Sequence, residues 1–212
     1  MRLLFSKVFT ENINKIQNEL PTIFMKSQLQ KINEFINNLG REEYSILEKI
    51  STTKTYKKGE VLLHQNETCR FTYSVEKGIL RKFYLNDGKE ITTEFLFEDD
   101  IAVSFDSYVL QKPSREFIQA ITDSTVSQLD YHSFQEAKSL HSELVKLDLL
   151  ITEYYAMWLE NRLLEFHTLN ATQRYLHLLS NQPEIIQQIP LSYIASYLGI
   201  SLETLSRIRA KI

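Results

Sequence analysis

The stretch Leu191-Ser-Tyr-Ile-Ala-Ser-Tyr-Leu-Gly-Ile-Ser-Leu-Glu-Thr-Leu-Ser-Arg-Ile-Arg-Ala-Lys-Ile212 decides the reading of this chain. Ile194, Ala195 and Leu198 fall on one side of a first helix, and the small side chain of Ala195 lets a second helix come close. Gly199 stands where the chain must turn, because a residue without Cβ takes positive φ at little cost. Ile200 plugs the corner, and Ser201 is a suitable N-cap for the helix that follows. Leu205, Ile208 and Ile212 recur at spacings of three and four and bury one face of that second helix. A tight helical hairpin of this kind is a helix-turn-helix, whose second helix enters the major groove of DNA.

With Leu205, Ile208 and Ile212 turned inward, Glu203, Arg207 and Ala210 lie on the opposite side, flanked by Ser206 and Lys211. Arg207 can donate two hydrogen bonds to guanine O6 and N7, and Glu203 can accept from cytosine N4. Ser201, Thr204 and Lys211 suit phosphate oxygens. Arg209 is expected to pack its stem toward the buried side. Glu203 and Arg207 are also spaced as a surface i,i+4 ion pair, a role compatible with base reading.

Working outward, residues 170–212 read as a small helical domain, with Asn170 capping a helix over Arg174–Ser180 and Pro190 opening the helix-turn-helix. Residues 133–169 have a helical period, in which Leu144, Leu147, Ile151, Tyr154 and Trp158 are spaced three and four apart. That spacing predicts a homodimer seam. A second stripe, Leu150, Leu159, Leu163 and Phe166, would pack on the strands or the C-terminal domain. Residues 50–132 change to a period of two, with strands at 61–63, 71–78, 79–85, 90–95, 101–103, 117–121 and 126–131. Asp87-Gly88 is the turn of a hairpin. Short strands at this spacing form a sandwich or barrel. Residues 1–49 read as helical, with Pro21 dividing two segments and a last short helix at Glu42–Ile50 turning Tyr44, Leu47 and Ile50 inward. The fold class is therefore α+β: an antiparallel, jelly-roll-like β-roll, a dimerisation helix and a C-terminal helical domain.

Composition narrows the function classes. Hydrophobic content of 43% with 24% charge is that of a soluble globular chain, no apolar run reaches the length of a membrane span, and the start lacks a signal-peptide layout. The expected location is the cytoplasm. The single cysteine, Cys69, excludes an intramolecular disulfide and a multi-thiolate cluster. His64, His132, His141, His167 and His177 have no metal-ligand spacing, and adjacent Asp99 and Asp100 face apart in a strand or turn. With only five glycines and no phosphate-cradling loop, we expect neither an enzyme nor a cofactor. The net charge of −3 is unevenly spread: residues 1–58 carry +4, 59–169 carry −9 and 170–212 carry +2. A mildly basic DNA-binding end predicts moderate nonspecific affinity and dependence on paired half-sites.

The order β-roll, long helix, helix-turn-helix resembles the Crp/Fnr superfamily of bacterial transcription regulators over about residues 28–212. The marks are Lys58-Gly59-Glu60, Tyr73-x-Val75-x-x-Gly78 with Arg81, Asp87-Gly88-Lys89, and a terminal pattern beginning Arg174-Tyr175-Leu176 and ending Glu203-Thr204-Leu205-Ser206-Arg207-Ile208-Arg209. The last is similar to a subgroup common in the Bacteroidetes. The resemblance implies a base-reading role for Glu203 and Arg207, whereas Leu202 stands where the family often has an arginine. It also implies an effector pocket at Val103, Ser104, Ser114 and Arg115. Members that bind cyclic AMP use a glutamate and an arginine there. Val103 replaces the glutamate and Ser114 the arginine, and Arg115 lies one residue out of register unless a bulge restores it. Cyclic AMP is therefore not the expected effector. The expected partners are double-stranded DNA and a second copy of the chain, with RNA polymerase and a small-molecule effector as further candidates and no membrane. A β-roll whose helical tail makes protein contacts only, and a regulator with a vestigial pocket, are the alternatives. The additional backbone contacts that some members make through a β-wing or through residues after this motif are not carried over to this sequence.

Overall fold

Ser51–Tyr56, rich in Thr, is the first strand (β1) of two four-stranded antiparallel sheets. The structure is a computed structural model and describes residues 31–32, 34–181 and 185–211. The expected helices before residue 31 and the positions of Gln182, Pro183 and Ile212 lie outside the described residues.

Helix α1 spans Arg41–Ile50. After β1 come β2 (Val61–Leu63), β3 (Phe71–Lys77), β4 (Leu80–Asn86), β5 (Lys89–Leu96), β6 (Ile101–Ala102), helix α2 (Phe105–Leu110), β7 (Glu116–Ala120) and β8 (Ser124–Asp130). The helices that follow are α3 (Tyr131–Leu140), α4 (Ser142–Thr168), α5 (Ala171–Asn181), α6 (Ile185–Gln188), α7 (Leu191–Tyr197) and α8 (Leu202–Arg209). The sheets run β1-β8-β3-β6 and β2-β7-β4-β5. Tyr73, Val75, Leu80, Ile118, Ala120 and Val126 fill the roll between them. Asp87 and Gly88 both have positive φ, so the β4–β5 turn has the sense that matches strand twist. Gly78 also has positive φ, and a Cβ there would lie 2.6 Å from the carbonyl oxygen of Asp123.

The chain divides into two compact units. One joins Tyr44–Ser139 to Leu169–Ile212, and the other holds Leu140–Thr168 with the described residues before Tyr44. The roll and the helix-turn-helix thus belong to the same unit. A second buried cluster, including Tyr175, Ile185, Ile194, Leu198 and Leu205, takes in Ile79 and Ile121 of the roll.

Several sequence expectations shift. Strand β1 occupies 51–56, ahead of the first expected strand at 61–63. Tyr44 is exposed rather than inward. Tyr131 and His132, expected at a strand end, begin α3, because Asp130 Oδ1 accepts hydrogen bonds from Ser133 N at 2.9 Å and Ser133 Oγ at 3.0 Å. Those bonds hold the Asp130 carboxyl below its ordinary range. The helical stretch is broken at His141 into α3 and α4.

The expected seam also changes. Leu144 and Leu147 are 0% and 5% exposed within the single chain, so they are not open to a partner, and Ile151, Tyr154 and Trp158 are half-buried. Leu150 is half-buried, but Leu159, Leu163 and Phe166 are exposed rather than packed. The residues that α4 leaves open include Val145, Leu149, Ala156, Leu159, Leu163 and Phe166, which with half-buried Thr152 are spaced four and three in alternation. A 27-residue helix that is apolar on several sides offers neighbouring stripes one or two residues apart, and spacing alone does not choose between them.

Candidate nucleic-acid interface

The turn between α7 and α8 is closed by two backbone bonds. Gly199 N donates to Ser196 O at 3.0 Å, and Ile200 N donates to Ala195 O at 3.0 Å. With Gly199 at φ +67° this is a Schellman motif, which uses carbonyls that the end of a helix would leave bare. Ser201 then caps α8: its hydroxyl accepts from Thr204 N at 3.2 Å. Ile194, Ala195, Leu198 and Leu205 are essentially inaccessible and Ile208 is buried, so the two helices are locked by their apolar faces.

The rest of the domain braces that turn. Asn170 Oδ1 accepts from Gln173 N at 3.0 Å and Gln173 Oε1 accepts from Asn170 N at 2.9 Å, a capping box at the start of α5. It starts the helix three residues before Arg174, the expected first residue. Arg174 donates from Nη1 to Leu169 O at 2.7 Å, and from Nε and Nη2 to Leu198 O at 3.2 and 3.1 Å. It thus ties the end of α7 to the start of α5, a positioning role that spacing did not reveal.

Ser201, Glu203, Ser206, Arg207 and Lys211 are exposed and Thr204 is half-buried. The i,i+4 pair takes another form: Arg207 Nη2 donates to Thr204 Oγ1 at 3.2 Å, folding back one turn. Glu203 is held below the ordinary glutamate range by its own backbone N–H and the Ser201 hydroxyl, and then by the charge of Arg207. Arg209 is exposed, not packed toward the buried side. Leu202 is exposed as well. The outward side of α8 therefore carries a carboxylate, a hydroxyl and guanidinium groups free of the core, a set able to read base edges and phosphates.

The four pocket positions divide. Ser104 and Ser114 are buried, with their hydroxyl oxygens 2.8 Å apart. Val103 is half-buried, and its carbonyl accepts from Lys82 Nζ at 3.3 Å. Arg115 does not join them: its side chain is 82% exposed and meets Asp106 at 3.2 Å. No bulge restores it, since strand alternation points it away from the interior. The interior holds a cation that the sequence reading missed. Lys82 Nζ lies 2.7 Å from Glu94 Oε1 and 3.7 Å from Glu116 Oε2. Burial pushes the Glu116 carboxyl up, against the pull of Lys82. The ammonium is thus already engaged by two carboxylates. Cys69 is buried, and burial raises its thiol.

Asp100 serves the turn before β6, accepting from Phe97 N at 2.8 Å. Burial raises its carboxyl to about 6, with Phe97 N–H opposing and Glu94 and Asp99 adding. Its neutral form is thus favoured in the fold, so this group's stabilisation is complete below about pH 4 and is lost as pH rises toward 6. Asp100→Asn keeps an oxygen for Phe97 N–H and removes the charge.

Among comparisons with known proteins, residues 53–139 match the model of the cyclic nucleotide-binding domain. The "Anaerobic regulatory protein" of Pasteurella multocida (strain Pm70) is 26% identical over 192 residues, which cover 82% of this chain and 68% of that one. FixK2 from Bradyrhizobium japonicum superposes with a TM-score of 0.63 at 21% identity, covering 76% of this chain and 84% of that one. The c-di-GMP responsive global regulator CLP of Xanthomonas campestris gives 0.65 at 16% identity, covering 81% and 91%. At these identities the structural likenesses establish a shared fold. No helix among the described residues is long and apolar enough to cross a membrane.

The expected outcome for Asp100→Asn is a stability gain over the parent that grows by about 2 kcal/mol between pH 4 and pH 7 in urea unfolding. A difference that stays flat with pH would contradict the assignment.

Proposed function

We propose that the chain is a transcription regulator of the Crp/Fnr type that acts as a cytoplasmic homodimer and reads DNA sequence through α8. The observation that carries this reading is the locked α7–α8 hairpin with Glu203, Ser206 and Arg207 facing solvent. Arg207 reads guanine, Glu203 reads a neighbouring base edge, and Ser201, Thr204, Ser206 and Lys211 meet the backbone. The fold of Thr204 toward Arg207 supports this by pre-orienting the guanidinium.

Dimerisation uses the stripe of α4 formed by exposed Val145, Leu149, Ala156, Leu159, Leu163 and Phe166 with half-buried Thr152 among them, in place of Leu144 and Leu147. Its alternating spacing supports a two-helix seam, and its exposed apolar area is the driving force. Two half-sites one turn of DNA apart, about 34–36 Å, would then match the twofold symmetry. A signal that tilts the paired helices changes the spacing of the recognition helices and so the affinity.

Cyclic AMP is not the effector. Ser114 offers no charge to a phosphate, Arg115 faces outward, and Lys82 is held between Glu94 and Glu116. An anionic ligand entering here would meet more carboxylate than ammonium.

Selection of bound duplexes from a random pool should yield a two-part site with inverted symmetry. Arg207→Ala should weaken binding to it by about 1–3 kcal/mol and relax one base position per half-site; unchanged affinity in a gel shift removes Arg207 as a reader. Leu159→Glu with Leu163→Glu should reduce the solution mass from twice 25.0 kDa to 25.0 kDa by light scattering, with the circular dichroism retained, whereas a retained dimer rejects this seam. Millimolar cyclic AMP should leave the melting temperature unchanged, and a dose-dependent rise would overturn the pocket reading.

A further inference from the structure

The outward side of the β4–β5 ribbon carries features that neither the DNA-reading face nor the roll interior uses. Arg81 is wholly buried, although arginine is seldom so. Its guanidinium lies between two rings, with Cζ 4.0 Å from the centroid of Phe83 and 3.6 Å from that of Tyr193 on α7. Nη2 donates to Glu90 Oε2 at 2.7 Å and to Gln119 Oε1 at 3.0 Å. Nε and Nη1 are buried with no hydrogen-bond partner among the described residues.

One turn further along α7, Ser196 docks on the free edge of β5. Its hydroxyl donates to Glu90 O at 2.9 Å and accepts from Thr92 N at 2.9 Å, the two bonds that another strand would supply. Thr92, paired with Phe83 across the ribbon, also buries an unpartnered Oγ1. Tyr197 sets its ring 5.1 Å from that of Phe95, again at an angle. The helix-turn-helix therefore sits on its own roll through the outer side of α7, leaving the outward side of α8 exposed.

We propose that this contact is a latch: it holds the recognition helix in a set orientation on the roll, and the incomplete solvation of Arg81 keeps it able to open. Apolar burial by Tyr193, Phe95 and Ile79 closes it. Against this stand three buried polar atoms without partners, all of which water would satisfy in the open form. The closed form, with the reading side of α8 free, is the one that DNA selects; this last clause rests on the DNA-binding reading. Helices α7 and α8 move as one body through their shared core, so opening at Ser196 shifts Arg207.

The amide of Thr92 reports the latch directly, because its acceptor is Ser196 rather than a strand. Hydrogen exchange followed by NMR on the full chain should find this amide protected. Tyr193→Ala should speed its exchange at least tenfold while the amide of Val126 in the roll core is unmoved. Arg81→Met, which fills the same space without charge, should slow it; faster exchange would make Arg81 a plain structural pin and overturn the poised latch. An unprotected Thr92 amide in the parent, or one indifferent to Tyr193→Ala, would overturn the docking itself. Adding the selected duplex should slow Thr92 exchange at least threefold, and a bound duplex that leaves or raises the rate rejects the coupling. A chain that selects no duplex defeats the DNA-binding reading alone, and the two variants still judge the latch.

Discussion

The proposed reading of DNA depends on the packing of Ala195 and Leu198 against Leu205 and Ile208 across the turn at Gly199. A reading helix is useful only if its angle to the rest of the protein is fixed, since a base contact displaced by an ångström is lost. Here the angle is overdetermined: a Schellman turn, a serine cap and an inaccessible apolar seam agree on one geometry. Arg174, with three hydrogen bonds to two carbonyls, carries that geometry back to α5. The polar readers then need only to point outward, which the helical period ensures.

The β4–β5 ribbon connects this domain to the roll. Adjacent residues on a strand face opposite ways, so Lys82 enters the roll interior while Arg81 faces α7. Both are buried cations, and both answer to carboxylates, Lys82 to Glu94 and Glu116 and Arg81 to Glu90. Buried ion pairs of this sort add little net stability but penalise other arrangements. The ribbon therefore combines a neutralised interior with a partly satisfied exterior, the feature on which the proposed latch rests.

Much of this was legible in the residues. Local rules fixed the helix-turn-helix, since Gly199, Ser201 and the apolar spacing each depend only on near neighbours. The Asp87-Gly88 hairpin and the strands on either side were legible for the same reason. Strand β1 was hidden because Ser51–Thr55 is polar and mostly exposed, with no alternating apolar signal. On α4 the sequence offered adjacent stripes, and burial of Leu144 and Leu147 within the chain, a tertiary fact, left a stripe one or two residues further along as the open one. The contacts of Arg81, Lys82 and Ser196 were not legible, because nothing local says that a cation will be enclosed or that a helix will dock on a strand edge. Arg115 was placed correctly by alternation alone, as a residue out of register with the interior.

The most direct test is a hydroxyl-radical footprint of the full chain on its selected duplex. The account predicts two protected patches centred one helical turn apart on the same face of the DNA, from one dimer per duplex. A single patch, protection without sequence preference, or patches on opposite faces would contradict it.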